Sequence, residues 1–166
     1  MKFKLAVIVI LAVLMFNSCT DEKSVYFNAI LKTEKGMFRG IDIGNNIEKV
    51  KQTENIEYLV DNMPDYLYFD YQLDMGNSYT VSYDFSDNQL YEIEVSAYFD
   101  VIEDANKLFN DFSAHFNQKY GKGKVADDGY TAWKTKDEND KNIEIAMVND
   151  SQDYGYLSIL ISDLDY

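Results

Sequence analysis

Apolar and polar side chains alternate along three consecutive segments in the middle of the chain, and no other feature constrains the fold as strongly. The segments are residues 66–73, 79–85 and 90–99, and short polar turns separate them. Because successive side chains of a strand point to opposite faces of a sheet, this period of two predicts strands with one covered face and one wet face. Turns this short predict antiparallel neighbours. The side chains expected on the covered face are Leu67, Phe69, Tyr71, Leu73, Val81, Tyr83, Phe85, Tyr91, Ile93, Val95 and Ala97.

A long amphipathic helix is predicted after these strands. Asp100 is placed to cap it, Glu103 follows three residues later, and Gly121 supplies a left-handed residue beyond its C-terminus. Apolar side chains recur at helical spacing at Val101, Ala105, Leu108, Phe109, Phe112 and Phe116. Three further strands are predicted at residues 130–135, 143–148 and 156–162, and Trp133 is expected in the core.

A shorter helix is predicted before the first three strands. Asn45 and Glu48 have the spacing of a capping box, and the helical pattern fades near Asn55. A short strand is predicted at residues 37–43, directly before this helix. The expected fold class is therefore α+β, with antiparallel meanders and two helices on one face, in the order α-βββ-α-βββ. The pattern leaves open whether the strands form one continuous sheet or two.

The N-terminus places two lysines, Lys2 and Lys4, ahead of an apolar run at residues 5–16. Twelve residues at about 1.5 Å rise per residue reach roughly 18 Å, well short of the ~30 Å core of a bilayer. The run is therefore predicted to be the apolar part of a secretion signal peptide and not a membrane-spanning helix.

The end of this run resembles the lipobox of bacterial lipoproteins, in which a small residue precedes a cysteine. Phe16 stands where a strict lipobox has Leu, which resembles the looser boxes of surface lipoproteins in Gram-negative gut anaerobes. The resemblance implies cleavage after Ser18, lipid such as palmitate on Cys19, and anchorage in the outer membrane, on the periplasmic side or at the cell surface. Asp21 and Glu22 resemble the acidic export signal of that group. The alternative is an ordinary secreted protein with a free thiol, which an oxidising compartment disfavours.

Three segments are therefore expected: a signal peptide at 1–18, a lipidated tether and lead-in at 19–35, and a single α+β domain at 36–166. The formal net charge is −14, and removal of residues 1–18 takes away two lysines and no acids, which leaves −16. Nucleic acids and anionic membrane surfaces require a basic binding surface. The charge therefore excludes nucleic acid as a partner, favours a basic protein, and leaves the lipid anchor as the expected membrane contact.

The sequence offers little for catalysis or metal binding. His115 is the single histidine, expected at the partly exposed edge of the apolar stripe of the long helix, and Cys19 is the single cysteine. A lipidated Cys19 cannot join a Cys–His pair or a zinc site. Residues 137–141 begin like a calcium loop, but Lys141 occupies a ligand position, so a solvated hairpin is expected. We expect no enzymatic activity, no cofactor and no resident metal.

The wet face of the first three strands is the candidate binding face. Pairing of Phe85 with Tyr91 would set Asp84 opposite Glu92, and Ser82 opposite Glu94. Like charges directly across a sheet are unfavourable, so these acids would favour binding of a cation or of a basic group from a partner. The alternative is an ordinary solvated acidic face. Exposed tyrosines on the same face can anchor a protein interface or stack on sugars. The candidate residues are Tyr66, Tyr68, Asp70, Asp84, Glu92, Glu94 and Tyr98.

The segment Gly40-Ile41-Asp42-Ile43-Gly44, with the short helix and the three-stranded meander after it, resembles one repeat of the β-lactamase-inhibitor-protein-like group, which includes small lipoproteins of outer-membrane assembly. The resemblance covers residues 38–99 and implies a binding module. The expected function is a non-enzymatic, protein-binding lipoprotein of the cell envelope, and an inhibitor or immunity role is one option within it. The alternative is a carbohydrate-binding accessory lipoprotein that uses Tyr66, Tyr68 and Tyr98.

Overall fold

Within residues 22–74, 76–137 and 139–166, which the computed structural model describes, eight strands form a single antiparallel sheet. The strands are β1 (Leu59–Asn62), β2 (Tyr66–Gln72), β3 (Ser78–Ser86), β4 (Gln89–Phe99), β5 (Lys124–Val125), β6 (Thr131–Lys136), β7 (Asn142–Asn149) and β8 (Gly155–Asp163). The same residues contain helices α1 (Phe27–Leu31), α2 (Ile47–Thr53) and α3 (Ile102–Tyr120), and a 3₁₀ turn at Ile56–Tyr58. The strand order is β1-β2-β3-β4-β8-β7-β6-β5, so two four-stranded meanders meet where β4 pairs with β8.

The α+β class and the antiparallel pairing agree with the sequence pattern, but the expected element order is wrong. Each half has four strands, and the first half has two helices ahead of its strands. β1 is exposed beyond its first residue and β5 is exposed at both of its residues, so neither shows an alternating pattern. The question of one sheet or two is answered by the β4–β8 pairing, which joins the halves over eight residue pairs.

The covered face of the sheet carries the core. A continuous row crosses β2, β3, β4, β8, β7 and β6, and consists of Leu67, Tyr83, Ile93, Ile161, Ile145 and Trp133, none more than 2% exposed. Burial of one such large side chain stabilises the fold by about 1.5–3 kcal/mol. Helix α3 packs on this face, and its Phe116 ring lies 5.2 Å from the ring of Trp133.

Helix α3 has the predicted length and apolar stripe, but its N-terminus differs from the prediction. Val101 occupies the cap position and makes no side-chain capping bond. Asp100 is instead held from outside the helix, since its N–H donates to Oδ1 of Asn77 at 2.9 Å. Gly121, at φ +84°, ends the helix as expected. The prediction that His115 lies at a partly exposed edge is wrong, because His115 is buried between α3 and α1, with its ring 5.7 Å from that of Phe27.

Residues expected in the tether and lead-in contribute to the core. Tyr26, Phe27, Ile30 and Leu31 are buried, and the ring of Phe27 lies 4.7 Å from that of Phe112 on α3. The folded body therefore takes in residues of the 19–35 segment as well as 36–166.

The strand expected at residues 37–43 is instead a tight turn closed by an isolated bridge between Phe38 and Ile41. Gly36 begins it at φ +66°, and a Cβ there would lie 2.8 Å from the backbone N of Ile41. Helix α2 follows, and its cap is Asn46, whose side chain accepts from Lys49 N. Asn45, the predicted cap, instead accepts the N–H of Asp42 at 3.2 Å.

A β-bulge interrupts the pairing of β3 with β4 and moves one residue off the covered face. Phe85 pairs with Leu90 and not with Tyr91, while Asp84 still pairs with Glu92. Leu90 is fully buried, whereas Tyr91 is half-buried and stacks on Tyr166 with 4.0 Å between ring centroids. The prediction that Tyr91 belongs to the core is therefore wrong.

An ion pair lies inside the core between the first two helices and the sheet. Arg39 is 1% exposed and Glu54 is 6% exposed. The Glu54 carboxylate also accepts the hydroxyls of Tyr71 and Tyr83, at 2.8 and 2.5 Å, and the ammonium of Lys32 at 2.9 Å. Buried charges are tolerated where they are paired and hydrogen-bonded, and this cluster meets both conditions. It links α1, the turn after it, α2 and the sheet.

Candidate functional site

Helix α3 packs on one face of the sheet, and the seven candidate residues lie on the other, which we call the open face. Tyr66, Tyr68 and Asp70 are on β2, Asp84 is on β3, and Glu92, Glu94 and Tyr98 are on β4. Their side chains alternate with those of the core rows, which places them all on the open face. Among the described residues, no helix is long and apolar enough to cross a membrane.

Acidic side chains lie close together near one end of this half of the open face. Asp84 pairs in register with Glu92, and Ser82 with Glu94, as expected. Burial raises the pKa of Asp84, and the nearby carboxylates of Glu92, Glu94 and Asp65 raise it further. The charged form of Asp84 is therefore penalised in the free protein, and a cationic group placed over these acids would relieve that penalty.

Tyrosines flank the acids. The rings of Tyr66 and Tyr68 are nearly parallel, with an interplanar angle of 16° and 6.4 Å between centroids. The structure does not bring Tyr98 to them, because Tyr98 pairs with Tyr156 at the other end of the sheet. The candidate face therefore holds two separate aromatic groups and not one.

The second meander completes the open face with a different chemistry. Leu160, Ala146 and Ala132 lie side by side across β8, β7 and β6, in the register row that also contains Glu94. In the adjacent register row, Lys134 forms a salt bridge of 3.1 Å with Glu144. The open face thus carries acids on β3 and β4, an apolar strip on β8, β7 and β6, and an ion pair between β6 and β7. The alternation of side chains at residues 130–162 predicts which residues of the second meander lie on the open face, but the candidate site is predicted from the first meander alone.

The two sequence features considered for catalysis or metal binding are His115 and the loop at residues 137–141. Burial lowers the pKa of His115, whose Nδ1 lies 3.7 Å from a Glu34 carboxylate oxygen. In the β6–β7 hairpin the Asp137 side chain accepts the N–H groups of Asn139 and Lys141, at 2.8 and 2.9 Å. The Lys141 ammonium pairs with Asp163 at 2.7 Å. Across the described ranges, no group of three His, Cys, Asp or Glu side chains could hold a metal ion.

Two of the residues predicted for anchoring and export, Cys19 and Asp21, lie outside the described residues, and Glu22 is exposed at the start of the described chain. Comparisons with protein-family models, with curated proteins and with solved structures find no match for this chain. The function therefore has to be inferred from the chemistry of the open face.

Proposed function

We propose that this chain is a non-enzymatic lipoprotein of the cell envelope that binds a basic protein through the open face. The observation that carries the proposal is the surface itself: one side of an eight-stranded sheet bears acids, tyrosines and an apolar strip, and helix α3 packs on the other side. An uncovered face with this composition is typical of an interaction surface.

The open face has the dimensions of a protein interface. The six neighbouring strands β2, β3, β4, β8, β7 and β6 span roughly 24 Å, at about 4.8 Å between adjacent strands. Seven residues along a strand span about 23 Å. The flat area is then about 550 Å², before the relief of the side chains is counted, which is comparable to the ~800 Å² that each partner of a standard interface buries.

The distribution of chemistry over this area also fits a protein partner. Tyrosines supply large, rigid anchors, the strip through Leu160 supplies an apolar centre, and charged groups lie around it. A formal net charge of −14 accelerates encounter with a basic protein through long-range attraction. An inhibitor or immunity protein directed at a basic toxin or enzyme would use these properties.

The proposal is tested with two variants that remove the same charge. The face variant combines Asp84→Asn, Glu92→Gln and Glu94→Gln. The control variant combines Asp127→Asn, Asp128→Asn and Asp140→Asn, all in exposed hairpin loops. Wild type, face variant and control are used to capture proteins from an envelope extract, and a recovered partner is then purified and its affinity measured at several salt concentrations.

We expect wild type and control to bind the same basic partner, with affinity that falls as salt increases, and the face variant to lose most of that affinity. Equal binding by the face variant and the control would show that the open face is not the interface.

A carbohydrate-binding accessory lipoprotein is the second candidate, and the parallel rings of Tyr66 and Tyr68 favour it. The face of an accessible tyrosine ring can stack on a sugar. That function predicts a thermal shift with a polysaccharide, little dependence on salt, loss in Tyr66→Ala with Tyr68→Ala, and no loss in the face variant. The face variant therefore separates the two candidates, because only the protein-binding function predicts a loss of binding in it.

A further inference from the structure

A cavity of about 310 Å³ opens at the end of the open face remote from Asp84. Its aromatic walls are Tyr98 on β4, Tyr156 on β8 and Tyr154 in the β7–β8 loop. The centroid of the Tyr98 ring lies 5.1 Å from that of Tyr156 and 6.3 Å from that of Tyr154. We call these three side chains the tyrosine cage. The remaining lining residues are Asp150, Gln152 and Asp153.

The loop that carries Tyr154 is held in place by its own hydrogen bonds. The Ser151 hydroxyl donates to Oδ1 of Asn149 at 2.5 Å and accepts the N–H of Tyr156 at 2.9 Å. Nδ2 of Asn149 donates to Oδ1 of Asn106 on α3 at 2.7 Å. The start of the loop is therefore tied to β8, and the end of β7 is tied to helix α3, before any ligand arrives. Preorganisation of this kind reduces the entropy that binding would otherwise cost.

The rings themselves are positioned but leave surface for a ligand. The Tyr156 hydroxyl shares a 3.1 Å hydrogen bond with the hydroxyl of Ser96, which fixes that ring. Tyr98 and Tyr154 are 38% and 53% exposed, which is high for tyrosines already grouped with other rings. The cage is thus an aromatic surface in contact with water, built on the same sheet face as the proposed interface.

We propose that the tyrosine cage binds a positively charged alkylammonium or guanidinium group, supplied as a Lys or Arg side chain by the protein that docks on the open face. This inference rests on the proposed function and names the group that the site would recognise. Tyrosine rings attract a cation that lies within about 6 Å of their centroids, and the ring spacing lets one cation lie that close to more than one ring. The residues that line the cavity supply two carboxylates and no positive charge.

The charge of the cavity favours this occupant over a neutral one. Asp150 and Asp153 stand beside the rings, so an entering cation gains both the attraction of the ring faces and that of two carboxylates. The same electrostatic field that attracts a basic partner to the acids on β3 and β4 extends to this end of the face. A Lys or Arg residue of such a partner would fill the cage when the rest of the surface docks.

The first experiment uses small probes with the full chain, kept in mild detergent because of its apolar N-terminal segment. N-acetyl-lysine amide and methylguanidinium are titrated while the tyrosine ring signals are followed by NMR, and N-acetyl-norleucine amide serves as the uncharged isostere of the lysine probe. The variants are Tyr154→Ala, Tyr154→Phe, and Asp150→Asn with Asp153→Asn. Tyr166→Ala is the matched control, since Tyr166 is an exposed tyrosine that stacks on Tyr91 at the opposite end of β4.

We expect both charged probes to shift the rings of the cage and to bind in the millimolar range, and the norleucine probe not to bind. Tyr154→Ala should weaken binding of the charged probes about five-fold, and the double Asp variant should weaken their binding by a similar factor. Tyr154→Phe, which keeps the ring, and Tyr166→Ala should bind as wild type. Equal binding of the norleucine probe, or no loss in Tyr154→Ala, would overturn the proposal, as would a cavity that binds a neutral sugar and no cation.

The second experiment separates a partner side chain from a free small cation as the source of the charge. The affinity of the purified basic partner is measured with Tyr154→Ala, in which Asp84, Glu92 and Glu94 remain intact. A loss of about five-fold or more supports a partner side chain in the cage. An unchanged partner affinity beside probe binding would overturn that assignment and leave the open face as the interface. Cation binding by the cage without any protein binding to the open face would refute the proposed function instead.

Discussion

Arg39 and Glu54 form a two-point ion pair inside the core, with Arg39 Nε donating to Oε1 at 2.6 Å and Nη2 donating to Oε2 at 3.0 Å. Arg39 also donates from Nη1 to the carbonyl of Ile30 at 2.6 Å, at the end of α1. One guanidinium therefore connects the end of α1 to the residue that follows α2. The geometry matches the planar fork of an arginine to the two oxygens of a carboxylate.

Removing one member of this pair should be strongly destabilising. In Arg39→Met the carboxylate of Glu54 stays buried without its main counter-charge, and a loss of about 3–5 kcal/mol in the free energy of unfolding is expected. Lys51→Met is the control, because it breaks a surface pair with Glu48 of 3.3 Å and should cost less than about 1 kcal/mol. Urea denaturation measures both. A loss in Arg39→Met no larger than that of the control would contradict the role given to the pair.

The same pair should make stability depend on acid pH. Burial by itself raises the pKa of Glu54, but the hydrogen bond and charge of Arg39, with the Tyr83 and Lys32 donors, lower it from 4.5 to about 2. Since the folded pKa is depressed, the stabilisation is complete above the unfolded pKa near 4.5 and is lost as the pH falls towards 2. The depressed pKa of Glu54 contributes about 3 kcal/mol to the free energy of unfolding at neutral pH.

Unfolding free energies of wild type and Glu54→Gln, measured between neutral and acid pH, test this dependence. The glutamine variant cannot titrate at this position, so its curve should be flatter between pH 4.5 and 2. Parallel curves would mean that Glu54 has the same pKa in the folded and unfolded states.

The β-bulge makes a prediction that distinguishes two neighbouring residues. Leu90 is fully buried, so Leu90→Ala should cost about 2–5 kcal/mol. Tyr91 lies outside the core against Tyr166, so Tyr91→Ala should cost about 1 kcal/mol or less. A regular ladder without the bulge would reverse this order. Thermal or urea unfolding of the two variants decides between the two registers.

The bulge also illustrates what could be predicted from sequence and what could not. The alternation through Ile93, Val95 and Ala97 correctly separates the two faces, because burial of one face leaves a period of two in the residues. A bulge shifts that period by one residue without any local marker, so Tyr91 is misassigned. Helix α1 and the Arg39–Glu54 pair are missed for a related reason, since they are determined by tertiary contacts between distant segments.

For the candidate site, the sequence places the acids correctly relative to one another because Asp84 and Glu92 flank a short turn. It also places Tyr98 on the same face, but it does not reveal the neighbour of Tyr98, which is Tyr156 from the second meander. Long-range pairing of β4 with β8 sets the apolar strip beside Glu94 and brings Tyr98 next to Tyr156 in the tyrosine cage. Local patterns cannot specify that pairing, so the second half of the open face becomes evident only in the fold.

The proposed anchor can be tested directly at Cys19. Cells that express the full chain should incorporate labelled palmitate into it, and Cys19→Ala should abolish the label, because Cys19 is the single cysteine of the chain. Ser18→Ala keeps a small residue before the cysteine and should retain the label. Unchanged labelling of Cys19→Ala would exclude lipidation at this residue.

Asp84 should have opposite effects on stability and on binding. Burial and the facing carboxylates raise its pKa, so the free protein carries an unfavourable charge there at neutral pH, and Asp84→Asn should increase the free energy of unfolding by a few tenths of a kcal/mol. The same change should weaken binding of the basic partner, because it removes an acid from the open face. Asp127→Asn, in an exposed loop, should leave both quantities unchanged. A residue that lowers stability and raises affinity is retained for binding. If Asp84→Asn gains stability and still binds the partner as tightly as wild type, the acids are an ordinary solvated surface.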